Sequence, residues 1–229
     1  MLRAQKKISK KIIKEDVIAT RYFQARTWLD ENRKRLSTIG TVVAIVLVGL
    51  WFYFNNVKTN NEKAASEFAK VFTYFDNGQY QIAVGGIPEH NVSGLQAIVD
   101  NYGGTTAGNV AKFYLASCYY NMQEYDKALQ YFDDFSGNDP LLKVAALSGV
   151  GGCYEAKQNF KKAAEAFEKA ASKNADDPNI ADNLSHAARN YGKAGEKQRA
   201  IDLLNRVKKE YPTSAAARNV ERYLAEINA

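Results

Sequence analysis

A spacing that recurs three times in the C-terminal half constrains the fold more than any other feature of this sequence. Tyr119 is followed nine residues later by Ala128 and four after that by Phe132. Tyr154, Ala163 and Phe167 repeat the interval, and so do Tyr191, Ala200 and Leu204. The three alanines stand 35 and 37 residues apart. Self-similarity at a period of roughly 20–50 residues marks stacked units that cannot bury an apolar face alone. An all-α helical solenoid is therefore expected, with each repeat touching its neighbours and a concave surface left free for a partner. Such an architecture points toward binding and away from catalysis.

Each unit reads as two helices joined by a tight turn. Residues 109–122 pair with 124–135 around Gln123-Glu124, 141–156 with 159–172, and 180–193 with 196–210 around Gly195. Pro140, Pro178 and Pro212 stand at or just beyond unit ends, because proline can begin a helix but not continue one. Small residues (Ala116, Gly151, Ala188) let helices approach closely, and the tyrosines fill the space beside them. Ala128, Ala163 and Ala200 occupy points where a larger side chain would push the helix pair apart. A last helix over 214–228 places Ala217, Val220, Leu224 and Ile227 on one face, with Arg218, Glu221, Arg222 and Glu226 elsewhere. That is the polar-backed cap a solenoid needs.

Residues 58–104 read as an irregular first repeat with an insertion. Phe68, Val71, Phe72, Tyr74 and Phe75 suggest a first helix, and Gly78, Tyr80 and Ala83 begin a second in repeat register. Gly85-Gly86-Ile87-Pro88 then breaks it, and a short helix from Leu95 to Tyr102 offers a substitute for the missing half.

The net charge of +6 is unevenly placed. Residues 1–35 hold eleven Lys/Arg against four Asp/Glu, and the remainder holds 20 against 21. The basic character thus belongs to a tail, and nucleic-acid binding by the folded part is not expected. Within the tail, Lys6, Lys7, Lys10, Lys11 and Lys14 interleave with Ile8, Ile12 and Ile13. This fits a disordered topology determinant or a surface helix lying on anionic lipid. Val17, Ile18, Tyr22, Ala25 and Leu29 continue at amphipathic helical spacing.

Residues 36–57 contain no charge, and 39–54 are strongly apolar. About 20 such residues cross a bilayer core as one helix. Trp51, Phe52, Tyr53 and Phe54 close the run as an aromatic belt. Arg33, Lys34 and Arg35 flank one end and Lys58 stands alone at the other, so the positive-inside rule places the N-terminus in the cytoplasm and carries residues 58–229 across. A cleaved signal peptide is the alternative, but some 35 residues precede the apolar core.

Candidate chemistry is sparse. His90 and His186 have no Cys, Asp or Glu partners at metal-ligand spacing. Gly149, Gly151 and Gly152 fall in the middle of a repeat helix with no preceding strand, which is the wrong setting for a phosphate loop. Cys118 and Cys153 share one register in successive repeats. Helices there stack about 8–10 Å apart, too far for the ~4.4–6.8 Å Cα separation of a disulfide. Two buried thiols, no enzyme activity and no cofactor are expected.

The repeated phrase resembles the tetratricopeptide repeat, whose consensus runs W-x2-L-G-x2-Y, A-x3-F and P. Lys112, Leu115, Ala116, Tyr119, Ala128, Phe132 and Pro140 carry it in one unit, and Leu184, Ala187, Ala188, Tyr191, Ala200, Leu204 and Pro212 in another. The tryptophan is absent throughout. The resemblance covers 105–229 and implies a groove lined by the first helix of each repeat. Its groove-facing positions map onto Phe68, Phe72, Phe75, Phe113, Ser117, Tyr120 and Asn121, then Ser148, Gly152 and Glu155, then Ser185, Arg189 and Lys193. One end would be aromatic and the other charged, unless the early aromatics pack against the insertion as core.

In layout, the chain is similar to the ancillary SecYEG translocon subunit (YfgM-like) family. That resemblance implies a bacterial inner-membrane protein with one span and a periplasmic repeat domain. It would act beside the Sec channel and contact periplasmic chaperones or emerging envelope proteins. A scaffold for a division or secretion machine is one alternative, and an organelle-surface import receptor with a cytosolic repeat domain is another.

Overall fold

A computed structural model of the chain describes residues 10–228; of the basic pattern, Lys6, Lys7 and Ile8 lie outside them, and Lys10, Lys11, Ile12, Ile13 and Lys14 fall in a helix. The chain divides into two compact units, Met1–Asn56 and Val57–Ala229.

The first unit comprises helix α1, Lys10–Glu31, and the opening of α2, Arg33–Asp76. Large apolar side chains from Ile39 to Phe54 are all exposed. The most apolar 18-residue window of α2 has a mean hydropathy of 2.0, and none of it is buried, unlike the core helix of a soluble protein. By length and composition this helix can cross a membrane. Two of its hydroxyls are satisfied locally: those of Thr38 and Thr41 donate to the carbonyls of Lys34 (3.0 Å) and Ser37 (2.9 Å). That is how a hydroxyl avoids an unpaired dipole in lipid. The helix does not stop at Asn55 and Asn56 but runs on to Asp76 as the first helix of the first repeat.

In the second unit that helix is followed by α3 (Tyr80–Gly85), β1 (Gly86–Ile87), a 3-10 turn (Pro88–His90), β2 (Val92–Ser93) and α4 (Leu95–Tyr102). The regular pairs are α5 (Thr106–Asn121) with α6 (Tyr125–Asp133), α7 (Pro140–Ala156) with α8 (Phe160–Lys173), and α9 (Ile180–Lys193) with α10 (Lys197–Glu210). The cap consists of α11 (Ala215–Arg218) and α12 (Val220–Asn228).

Four turns inside the helix pairs share one geometry. Gly78, Gln123, Gln158 and Gly195 adopt φ of 71°, 63°, 58° and 85°. In each, the following N–H reaches back to a tyrosine carbonyl: Gln79 to Tyr74, Glu124 to Tyr119, Asn159 to Tyr154 and Glu196 to Tyr191, at 2.8–2.9 Å. This left-handed closure satisfies carbonyls orphaned at the helix end. Tyr74 is thereby in register with the three later tyrosines. Side-chain caps start several helices: Asp139 accepts from the N–H groups of Leu141 and Leu142, with Pro140 at the first helical position, and Thr105 and Ser214 accept from Gly108 and Ala217.

The first repeat's second helix stops after Gly85, where a two-residue antiparallel hairpin pairs Gly86 with Ser93 and Ile87 with Val92. Strands this short carry no alternating pattern, so periodicity does not predict them. A Cβ on Gly86 or Gly94 would collide with the facing backbone. Helix α4 takes up the packing, with Leu95 and Ile98 buried in the same cluster as Ala111, Leu115 and Ala116.

The glycine run in α7 has a packing role. Cβ atoms at Gly149 and Gly151 would lie 2.5 Å and 2.9 Å from the rings of Phe132 and Phe167. Cys118 and Cys153 are buried free thiols, each pushed up to about 12 by burial, so neither is a ready nucleophile. The cap differs from expectation in breaking at Asn219, whose side chain donates to the carbonyl of Ala215 at 3.1 Å.

Candidate protein-binding groove

The first helices of successive repeats meet along one surface. At its start, Tyr114 on α5 is surrounded by aromatic rings: Phe68 at 5.2 Å, Phe72 at 5.3 Å, Phe75 at 4.9 Å and Phe113 at 5.3 Å between centroids. All five residues are half-buried. The rings support one another and still show part of their surface to solvent. Phe113 also packs edge-on against Phe132 and Phe135 of its own repeat.

The middle is small and polar. Ser117 Oγ donates to the Phe113 carbonyl at 3.0 Å, and Asn121 Nδ2 donates to the Ser117 carbonyl at 2.8 Å. Both side chains are tied to their own helix. Tyr120 is 37% exposed and lies over Gly152, where a Cβ would come within 3.2 Å of its ring. Burial raises the Tyr120 pKa, with Cys153, Tyr125 and Glu155 adding to it. Ser148 Oγ donates to Asn183 Oδ1 at 2.8 Å, linking α7 to α9.

The charged end is compensated. Glu155 lies 3.3 Å from Lys193 Nζ and 3.9 Å from His186 Nδ1. Lys193 also sits over the Phe160 ring at 5.0 Å, and Arg189 over the Tyr223 ring of the cap at 5.2 Å. Ser185, expected in the groove, is buried at 6% exposure and its hydroxyl lacks a partner. The cap therefore covers part of the end that the repeat spacing leaves open.

Two residues are not predicted by the repeat spacing. Tyr114 stands one position off the groove register, so periodicity assigned it no role. Leu141 is 53% exposed in the first turn of α7, where its neighbour Pro140 drew attention to the boundary instead. Among the described residues, no group of three or more His, Cys, Asp or Glu could hold a metal ion.

Comparison with known proteins agrees with this geometry. Residues 110–141 and 182–214 match the family model of the tetratricopeptide repeat. The chain carries tetratricopeptide repeats. No curated protein matches the sequence. Among solved structures, the tetratricopeptide-like repeats assigned to a kinesin light chain of Podosopora anserina are similar in two crystal structures. They have TM-scores of 0.55 and 0.54 at 18% identity, covering 73% of this chain and 85% and 86% of theirs. At that identity the likeness shows the fold alone, a tetratricopeptide-like helical solenoid.

Proposed function

We propose that the chain is a membrane-anchored interaction protein of the bacterial inner membrane, with its N-terminus cytoplasmic and its repeat unit periplasmic. One observation carries this reading: α2 contains both an unburied apolar window and the first repeat helix, which bears Phe68, Phe72 and Phe75. The bias of Arg33, Lys34 and Arg35 against Lys58 supports the orientation. The groove takes a protein segment along Phe68, Phe72, Phe75, Phe113, Ser117, Tyr120 and Asn121. Glu155, Arg189 and Lys193 set its far end.

Similarity in layout to the ancillary SecYEG translocon subunit (YfgM-like) family supports a place beside the Sec channel, with periplasmic chaperones or emerging envelope proteins as partners. A mild-detergent pull-down of the full chain with mass spectrometry tests this. Recovery of SecY with a membrane-anchored chaperone is expected, whereas division or secretion components without Sec would favour a scaffold for another envelope machine. Protease treatment of intact inner membranes should leave the repeat unit protected from the cytoplasmic side, and digestion there would favour a cytosolic receptor.

A further inference from the structure

The three regular repeats fill one equivalent position in three ways. Seven residues before the turn tyrosine stand Lys112, Leu147 and Leu184, at the register where the repeat consensus has tryptophan. Lys112 is only 9% exposed, and its ammonium reaches Asp134, with the carboxylate at 2.7 Å and the carbonyl at 3.3 Å. Leu184 is fully buried among the last repeat and the cap. Leu147 alone stays half-buried, on the wall of an open cleft of about 240 Å³. The cleft lies between the ends of α6 and α8 and the start of α7, and two of its lining residues, Phe132 and Phe135, are the rings against which Phe113 of the groove packs. Its apolar lining includes Phe132 and Val150, and Lys143, Lys169 and Lys173 rim it against a single carboxylate, Asp133. None of these three lysines is ion-paired among the described residues.

We propose that this cleft is a second docking site, which takes one aromatic side chain of a protein partner flanked by acidic residues. Size and charge decide the occupant. The volume falls below the roughly 300–1,000 Å³ of a small-molecule pocket, and suits a single anchoring side chain of the kind that dominates interfaces. Leucine where the consensus has tryptophan leaves an aromatic-sized vacancy over an apolar floor. Three lysines against one aspartate select an anionic flank and speed its approach.

The test uses the full chain in non-ionic detergent and fluorescence anisotropy of a labelled peptide carrying two acidic residues on each side of one tryptophan. Leu147→Trp fills the cleft from within and should weaken binding about tenfold or more, while raising the melting temperature. Reversing the rim with Lys143→Glu, Lys169→Glu and Lys173→Glu, the last two at exposed positions and the first at a half-buried one, should weaken it similarly, and Phe72→Ser in the groove should not. Replacing the peptide's tryptophan by alanine should abolish binding. The proposal is overturned if the Leu147→Trp protein binds as the natural one does. Equal binding of the alanine peptide would reduce the site to plain charge attraction and also overturn it, as would no binding by the natural chain. Loss of groove binding in Phe72→Ser leaves this outcome untouched, so the two sites are judged separately.

Discussion

The Tyr119 hydroxyl donates to Gln96 Oε1 at 3.2 Å across the same 23-residue interval that separates Tyr191 from its acceptor, Glu168 Oε2, at 2.8 Å. Gln96 lies on α4 and Glu168 on α8, so α4 stands where a second repeat helix stands. The hairpin precedes it, and the tyrosine-to-acceptor interval holds beyond it. Gln96 also accepts from the Tyr131 hydroxyl at 3.0 Å, and the rings of Tyr119 and Tyr131 stack at 5.6 Å.

Gln96→Ala should accordingly destabilise the repeat unit by about 1–3 kcal/mol, because two part-buried hydroxyls lose their acceptor together. Urea unfolding followed by circular dichroism measures this. A change within error would mean that water replaces the amide and that α4 is not held through Gln96.

Close packing gives a second expectation. Ala163 is fully buried, and Gly151 sits against the Phe167 ring. Ala163→Leu should cost ~1–3 kcal/mol through overpacking, and Gly151→Ala should also destabilise. Thermal melts of both variants check this, and unchanged midpoints would contradict the packing described.

Stability should depend on pH through His186. Its ring stacks on Phe167 at 4.9 Å, and burial of that covered face holds its pKa below the ordinary 6.5 although the rest of the side chain is exposed. Glu155 and Asp182 oppose that lowering, and Arg189 adds to it. The unfolded chain therefore takes up the proton first as pH falls. The contribution is complete above 6.5 and is lost as pH drops through the lowered folded value. The melting temperature should be higher at about pH 7.5 than at about pH 5.5, and His186→Phe should shrink that difference. An unaltered difference would assign it to other groups.

Local signals carried most of the fold. The tyrosine–alanine–phenylalanine interval located the regular repeats, and Gly78 and Gly195 marked two of the left-handed turns. The other two fall on Gln123 and Gln158, where no residue preference announces a positive φ, yet the tyrosine register still placed them. The hairpin at Gly86–Ile87 is too short to show a strand pattern, and only its glycines hinted at a break. The site was less legible for the same physical reason throughout: exposure depends on what folds back from far away. Arg189 is covered by Tyr223 of the cap, Ser185 is buried, and Tyr114 gathers three phenylalanines from a helix some 40 residues earlier in sequence. Periodicity fixes which residues share a helix face but not which faces remain open.

The most direct test of partner binding through the groove is site-specific photo-crosslinking in cells. A photoreactive phenylalanine analogue would be placed at Ser117 in the groove and, separately, at the exposed Asn205 on α10. A discrete protein adduct at Ser117, lost on adding Phe72→Ser and missing at Asn205, is the expected result. Equal adducts at both positions, or none at Ser117 while Asn205 reacts, would contradict binding along the first helices.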